Sequence, residues 1–300
     1  MPDPGSDRRL DRARVSLEGL SVGDAFGVYH GNRSIPLVSA PWHFTDDSNM
    51  ACSIFSILRQ LGEIDPDRLA HDFAIRYRRD LGYGPAMHGY LARIREGGDW
   101  RELAPALFGG AGSFGNGLAM RVAPLGAYFA DDLGQVAEQA RRSAIVTHAH
   151  PEAVAGAIAV SVAAAVACSL RGGDAPSRAG FIEQILPSIP DSEVRAKCRL
   201  ARDLAKSASV SLAVAALGNG SMVTCQDTVP FALWAAGEWL SDYEEALWLT
   251  ASAGGDRDTT CAMVGGIVAC YTGLEGIPEE WFKRRDRLPN WALVDESQRD

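Results

Sequence analysis

Helical periodicity extends along the whole of this 300-residue chain and limits its possible folds more than any other feature. In segment after segment, apolar residues recur at the spacing of one face of an α-helix, and prolines and glycines separate these segments. Alternating patterns bounded by hairpin turns, which would indicate strands, are scarce. We therefore predict an all-α fold. The predicted helices cover residues 9–29, 47–61, 66–79, 85–96, 116–129, 133–143, 151–170, 178–186, 192–206, 225–236, 242–250 and 258–271.

The helical signal continues evenly from one half of the chain to the other, without a linker-like segment between the halves. Although the length alone suggests about two domains, we expect one compact domain over residues 12–275. We expect residues 1–11 to form a flexible segment and residues 276–300 to form a peripheral C-terminal extension. The apolar run 153–170 is long enough to span a membrane. It is rich in Ala and Val and begins with a charge, so we predict a buried central helix instead.

The charge and the cysteine content argue against several classes of protein. The net charge is -9 and the pI is about 5.2, whereas general nucleic-acid binding needs a basic surface. None of the six cysteines forms a C-x-x-C pair, so the sequence indicates neither a disulfide framework nor a zinc site. The N-terminus lacks the apolar core of a signal peptide. We expect a cytoplasmic monomer with no membrane partner and no general affinity for nucleic acids.

Two acidic clusters near opposite ends of the chain give the strongest functional signal. Thr45-Asp46-Asp47-Ser48 opens one apolar helical stretch, and Gly254-Gly255-Asp256-Arg257-Asp258-Thr259-Thr260 opens another. Each places two carboxylates beside a hydroxyl, and such oxygen ligands suit magnesium, manganese or calcium rather than zinc. For each cluster alone, helix capping is the alternative, because Thr or Asp at a helix N-terminus is common and stabilising.

Three further features could belong to the same site. The glycine-rich loop 109–117 leads into a helix start, where backbone N–H groups can approach a phosphate, and its Phe114 could stack on a base or ribose. The alternative is a plain connecting loop. One of His148 and His150, which precede the long apolar helix, could hydrogen-bond a phosphate or a sugar hydroxyl. The alternative is a histidine that caps the helix or faces solvent. Asp24 could orient a metal-bound water or ligand, or could be a surface charge.

In this order, the motifs resemble those of the ADP-ribosylglycohydrolase family, which includes dinitrogenase reductase-activating glycohydrolases and hydrolases of ADP-ribosyl-serine and ADP-ribosyl-arginine. The resemblance covers residues 12–275. The matching segments are Gly23-Asp24-Ala25-Phe26-Gly27, Thr45-Asp46-Asp47-Ser48, Ser113-Phe114-Gly115-Asn116-Gly117 with Ala119-Met120-Arg121-Val122-Ala123-Pro124, Thr147-His148 and Asp256-Arg257-Asp258-Thr259.

The resemblance implies an orthogonal helical fold and a centre of two Mg2+ or Mn2+ ions. By position, Thr45, Asp46 and Asp47 would bind one ion, Asp256 and Thr259 would bind the other, and Asp258 would bridge the two. ADP-ribose would contact Ser113, Phe114, Gly115, Asn116, Gly117 and His148. For proton transfer, Asp46 and Asp47 are the candidate catalytic residues, with Asp24 as an indirect alternative.

The resemblance also implies the activity, which is metal-dependent hydrolysis of a glycosidic bond to ADP-ribose in a modified protein side chain or small molecule. Some relatives carry a glutamate on a mobile flap after the Gly-Asp motif. Here, residues 25–44 contain no Asp or Glu. This difference favours substrates other than serine-linked ADP-ribose. It also motivates a non-catalytic alternative, an ADP-ribose-binding or toxin-immunity-like protein. A two-metal phosphohydrolase is a third possibility.

Overall fold

The computed structural model describes residues 4–294, with side chains from Arg8 onward. It confirms the all-α prediction, because within these residues the only β-type pairings are two isolated bridges. The α-helices are α1 (Pro4–Tyr29), α2 (Asp46–Leu61), α3 (Pro66–Arg76), α4 (Pro85–Arg95), α5 (Trp100–Gly110), α6 (Ala123–Tyr128), α7 (Leu133–Ile145), α8 (Pro151–Leu170), α9 (Arg178–Ile185), α10 (Glu193–Asp203), α11 (Val210–Leu217), α12 (Cys225–Glu238), α13 (Tyr243–Ser252), α14 (Arg257–Thr272), α15 (Glu279–Arg284) and α16 (Asn290–Leu293). Short 3-10 helices cover Arg79–Leu81, Asn116–Leu118, Leu186–Ser188 and Leu274–Gly276.

One predicted helix is wrong. Residues 116–129 form a 3-10 turn and then the separate short helix α6, with non-helical backbone between them. Pro124 lies in the first turn of α6, where its missing N–H and fixed φ are tolerated, whereas inside a longer helix they would break a hydrogen bond. The prediction also lacked α5, whose pattern is interrupted by Pro105, and α11.

The apolar helix α8 passes through the middle of the protein. By length and composition it could cross a membrane, but 78% of its apolar stretch is buried inside the structure. Both α7 and α6 pack on it, and α14 contacts it as well. These contacts agree with the prediction of a buried central helix.

Both ends of the described chain pack more closely than expected. Residues 4–11, predicted to be flexible, belong to α1, while residues 1–3 lie outside the described residues. In α15, Trp281 is buried and stacks on Phe26 of α1, with 4.3 Å between the ring centroids. Buried Arg285 forms an ion pair with buried Glu18. Trp281 and Arg285 therefore belong to the core that α1 helps to form, and the domain limits at residues 11 and 275 stay a prediction.

The crossing of α1 and α14 brings the acidic clusters towards each other. Gly19, Gly23 and Gly27 form a row at four-residue spacing on α1, and this row lies against α14. A Cβ atom built at Gly23 would lie 2.1 Å from the carbonyl oxygen of Cys261, and one at Gly27 would lie 2.4 Å from that of Arg257. Because no side chain separates the two backbones, α1 passes directly beside the start of α14, which carries the second acidic cluster.

Candidate active site

One cleft of about 710 Å³ joins the two acidic clusters. Eleven of the twelve candidate residues line it, and the exception is Thr45. The lining residues are Asp46, Asp47, Met50, Gly82, Gly84, Pro85, Ala86, Met87, Leu107, Phe108, Ser113, Phe114, Gly115, Asn116, Gly117, Met120, Arg121, His148, Met222, Val223, Thr224, Asp256, Asp258 and Thr259. The fold thus brings together groups that are more than 200 positions apart in sequence.

The first cluster both caps α2 and faces the cleft. Thr45 is the N-cap residue, and its hydroxyl oxygen accepts a hydrogen bond from the backbone N–H of Asp47 over 3.4 Å. The same oxygen lies 2.9 Å from a carboxylate oxygen of Asp24 and 2.9 Å from one of Asp47. Capping and ligand binding are therefore compatible here, because Thr45 provides the cap while Asp46 and Asp47 line the cleft.

Asp24 is an anchor for this cluster rather than a surface charge. Its carboxylate is fully buried and accepts hydrogen bonds from the backbone N–H groups of Thr45 and Ser48, at 2.9 and 3.0 Å. Both hydroxyls also lie within hydrogen-bonding distance, at 2.9 Å for Thr45 and 2.6 Å for Ser48. Asp24 thereby fixes the first turn of α2 to α1.

The second cluster does more than cap α14. Asp256 occupies the N-cap position, yet its side chain makes no capping hydrogen bond. One of its carboxylate oxygens instead accepts from Asn116 Nδ2 over 2.7 Å, which connects the cluster to the glycine-rich loop. Its backbone N–H donates to Asn219 O over 3.2 Å. For this cluster the capping alternative does not account for the acidic side chain.

Burial and mutual repulsion raise the pKa values of the cleft carboxylates. Burial raises the pKa of Asp46 to about 8, with a further contribution from the negative charge of Asp24. The pKa of Asp256 is raised to about 7 by burial and then by its hydrogen bond and proximity to Asp258. Burial also raises the pKa of Asp24 to about 7, against the opposing effect of its hydrogen bonds to Ser48 and Thr45. The cleft therefore favours a bound positive charge or a bound proton.

The donor set fits a hard cation. Asp47 Oδ1 is buried and has no hydrogen-bond partner, which is costly for a carboxylate oxygen unless a ligand satisfies it. The neighbouring donors are carboxylate and hydroxyl oxygens, as Mg2+ and Mn2+ prefer. Within residues 4–294, no three His, Cys, Asp or Glu side chains are placed to hold an ion by themselves. A cation would thus also need hydroxyl, water or ligand oxygens in its shell.

The glycine-rich loop forms the opposite wall of the cleft. Its backbone pairs with the segment that precedes α12, since Asn116 N donates to Val223 O over 3.2 Å and Cys225 N donates to Phe114 O over 3.0 Å. The Ser113 hydroxyl accepts from Gly115 N over 3.1 Å. This pairing fixes the loop to the segment before α12, and Phe114 is 40% exposed at the cleft. A plain connecting loop would not need to line a cavity in this way.

The two histidines that precede α8 have different roles. His150 is the helix cap, because its Nδ1 accepts from Glu152 N over 3.2 Å. His148 is buried and lines the cleft beside Gly115 and Gly117. Burial, followed by the positive charge of Arg121, lowers the pKa of His148 to about 3. Sequence reasoning left open which histidine caps the helix, and the structure assigns that role to His150.

Sequence reasoning missed an apolar rim at the cleft. Phe108, Met222 and Val223 are 63%, 71% and 56% exposed, and all three line it. Phe108 and Val223 have φ values of 52° and 55°, which are unfavourable for residues with large or branched side chains. The sequence contained only an indirect signal, namely glycines at positions 109 and 110 directly after Phe108 and at positions 218 and 220 shortly before Met222.

Comparisons with known proteins support this arrangement. A profile of the ADP-ribosylglycohydrolase family matches residues 5–299. The chain is 29% identical to the human ADP-ribosylhydrolase ARH3, over 92% of this chain and 90% of that protein. It is 26% identical to the ADP-ribosylarginine hydrolase Tri1 of Pseudomonas putida, over 93% and 75% of the two chains.

A solved structure shares the fold as well. The chain superposes on an ADP-ribosylglycohydrolase-related protein with a TM-score of 0.67 and 25% identity, over 93% of this chain and 94% of the other. The residues matched by the family profile include both acidic clusters. Together with the cleft that joins these clusters, the profile match shows that the chain belongs to the ADP-ribosylglycohydrolase family of hydrolases.

Proposed function

We propose that this protein removes ADP-ribose from a modified protein side chain or small molecule by hydrolysing the glycosidic bond at the distal ribose, with two Mg2+ or Mn2+ ions in its site. The observation that carries the proposal is the cleft in which Asp46, Asp47, Asp256 and Asp258 meet the glycine-rich loop. The names of the human and Pseudomonas relatives, an ADP-ribosylhydrolase and an ADP-ribosylarginine hydrolase, support the same class of substrate.

The two acidic clusters supply the ligands for the cations. Thr45, Asp46 and Asp47 would hold one ion, Asp256 and Thr259 the other, and Asp258 both. Thr45 does not line the cleft, but a hydroxyl that donates its hydrogen to Asp24 and accepts from Asp47 N keeps one lone pair for a cation. When bound, such ions neutralise negative charge and orient the hydroxyls of a sugar and a water molecule.

The remaining residues bind and orient the ligand. In the loop 113–117, the backbone N–H groups of Gly115 and Asn116 donate within the protein, which leaves those of Ser113, Phe114 and Gly117 for a diphosphate. Phe114 also offers an exposed ring for stacking. Asn116 holds Asp256 in place through its amide, so the same loop that would bind ADP-ribose also positions a cation ligand. This coupling would place the distal ribose beside the acidic clusters, where orientation accelerates its reaction.

The hydrogen bonds favour the first cluster for proton transfer. Asp24 already accepts from two backbone N–H groups and lies beside two hydroxyls, and it does not line the cleft. Asp46 and Asp47 do line it, and Asp47 has a carboxylate oxygen without a partner. We therefore assign the proton acceptor to Asp46 or Asp47, and a positioning role to Asp24.

The decisive experiment offers the purified protein a panel of ADP-ribosylated arginine, serine, nucleobase and O-acetyl substrates, with Mg2+, with Mn2+ and with EDTA. Release of ADP-ribose that requires a metal would support the proposal and identify the linkage. Tight binding of ADP-ribose without turnover of any substrate would instead favour the non-catalytic alternative. Release of phosphate without cleavage at the anomeric carbon would favour a phosphohydrolase.

A further inference from the structure

A buried polar chain lies behind the glycine-rich loop and ends at His148. The guanidinium of Arg121 donates from Nη2 to Thr147 Oγ1 over 2.9 Å and to Ser143 O over 3.1 Å. Thr147 Oγ1 lies 2.7 Å from His148 Nδ1. Arg121 and Thr147 are fully buried, and His148 is 5% exposed. These contacts therefore occur away from bulk water, where each polar group needs its partner.

The chemistry of the three groups fixes the direction of the hydrogen bonds. A guanidinium only donates, so Thr147 Oγ1 must accept from Arg121. Among the described residues, Oγ1 has only one other partner, His148 Nδ1. The hydroxyl hydrogen therefore points to Nδ1, because a buried hydroxyl hydrogen without an acceptor is costly. Nδ1 must then be the unprotonated nitrogen of the ring, and Nε2 must carry the proton.

The protonated nitrogen faces the cleft. A Cβ atom built at Gly115 would lie 3.4 Å from His148 Nε2, and one built at Gly117 would lie 3.5 Å from it. Nε2 therefore sits directly against the loop that would contact ADP-ribose. Within residues 4–294 it makes no hydrogen bond to another protein group, so its N–H is available to a ligand.

We propose that Arg121 and Thr147 act as positioning residues that hold His148 as the Nε2–H tautomer, so that His148 offers a neutral N–H donor to an acceptor oxygen of the bound ligand. The identity of that ligand, a diphosphate oxygen or ribose oxygen of ADP-ribose, rests on the proposed function. The tautomer itself does not. A fixed donor selects acceptors such as phosphate oxygens and disfavours ligand groups that can only donate.

A neutral donor is also what this location permits. A protonated imidazole would place a second buried positive charge beside Arg121, and burial together with that charge lowers the pKa of His148 to about 3. Burial lowers the pKa of Arg121 only to about 9, so the guanidinium stays charged at neutral pH. The donor at Nε2 consequently persists across the pH range in which most enzymes are assayed.

The direct test is nitrogen NMR on the full-length protein without ligand, labelled with 15N in its six histidines. The His148 signals are assigned by their loss in His148→Asn. We expect Nδ1 to resonate as an unprotonated nitrogen and Nε2 as a protonated one. A protonated Nδ1 in the wild-type protein would overturn the proposal whether or not the Thr147 variants fold.

Two substitutions at Thr147 then test the relay. Thr147→Val keeps the shape but removes the hydroxyl, so His148 should lose its single tautomer and ADP-ribose affinity should fall about tenfold. Thr147→Ser keeps the hydroxyl and should restore both the NMR signature and the affinity to within about twofold. His71→Gln, at an exposed residue outside the cleft, is the control and should change neither.

The outcomes are separable. If Thr147→Val keeps the wild-type NMR signature and affinity, the relay is wrong. If Thr147→Ser and Thr147→Val both lose affinity although only the valine variant changes the tautomer, the tautomer does not determine binding and the functional part of the proposal is wrong. If the wild-type protein does not bind ADP-ribose at all, the proposed function fails, while the NMR spectrum still decides the tautomer.

Discussion

Gly23 offers the sharpest test of how the site is assembled. In Gly23→Ala, the new Cβ would lie 2.1 Å from Cys261 O and 2.8 Å from its carbonyl carbon. Contacts of this kind essentially never fall below 3.0 Å, so α1 and α14 would have to separate by about 1 Å in a close-packed interior. Overpacking lowers the free energy of unfolding by about 3 kcal/mol when the backbone must move. The better helix propensity of alanine raises it by only about 1 kcal/mol.

The net loss is therefore about 2 kcal/mol, which lowers the melting temperature of a 300-residue chain by about 3 °C. The matched control is Gly89→Ala in the middle of α4, where nothing lies within 4 Å of the new Cβ. Propensity alone acts there, so that variant should gain up to about 1 kcal/mol. Thermal and urea unfolding measure both variants. If Gly23→Ala is as stable as Gly89→Ala, helix propensity rather than backbone contact governs this position and our account of the α1–α14 crossing is refuted.

Three further predictions concern the cleft and the ion pairs. Asp258→Asn should reduce turnover at least about a hundredfold and weaken Mg2+ binding in calorimetry, yet keep the melting temperature, because it removes repulsion with Asp256; full activity would contradict the assignment. In EDTA, the melting temperature should fall as pH rises from about 5 to 8. The pKa of Asp46 in the folded protein, about 8, is raised above its unfolded value, so the stability contributed by this carboxyl is lost as pH rises through the folded pKa. Mg2+ should reduce this loss. A melting temperature that rises with pH in EDTA would contradict this prediction. Glu18→Gln leaves buried Arg285 unpaired and should cost about 3 kcal/mol, whereas Glu245→Gln, in an exposed ion pair, should cost under about 1 kcal/mol; equal unfolding midpoints in urea would be evidence against a buried pair.

The helices and the acidic clusters could be predicted because both are local. Apolar periodicity within one segment indicates a helix, and the motif from Thr45 to Ser48 is contiguous. The glycine spacing on α1 is also visible in the sequence, but its partner is not. Only the fold shows that Gly23 faces Cys261, and therefore that Asp24 lies beside both clusters.

The details of the site could not be predicted because they depend on contacts between distant segments. Arg121 is an arginine in an apolar stretch, and nothing in the sequence shows that Thr147 accepts its hydrogen bond. Val223 has a backbone conformation that is unusual for a β-branched residue, and propensities argue against it. The break between the Asn116 turn and α6 is an exception, because Pro124 lies inside the predicted helix 116–129 and is tolerated only in the first turn of a helix.

The contacts of residues 281–286 with α1 and with the segment before α2 have a consequence for how the protein is made. Trp42 N donates to Arg284 O over 2.7 Å, and Asp286 N donates to Trp42 O over 2.9 Å. Helix α1 packs on α2 and α6, which follow it early in the chain, but its most extensive partner, α14, is synthesised long afterwards. During translation, the face of α1 that contacts α14 is therefore left uncovered, a state that favours chaperone binding or aggregation. The acidic clusters can meet only after α14 has left the ribosome, so the proposed cation site would form late in synthesis.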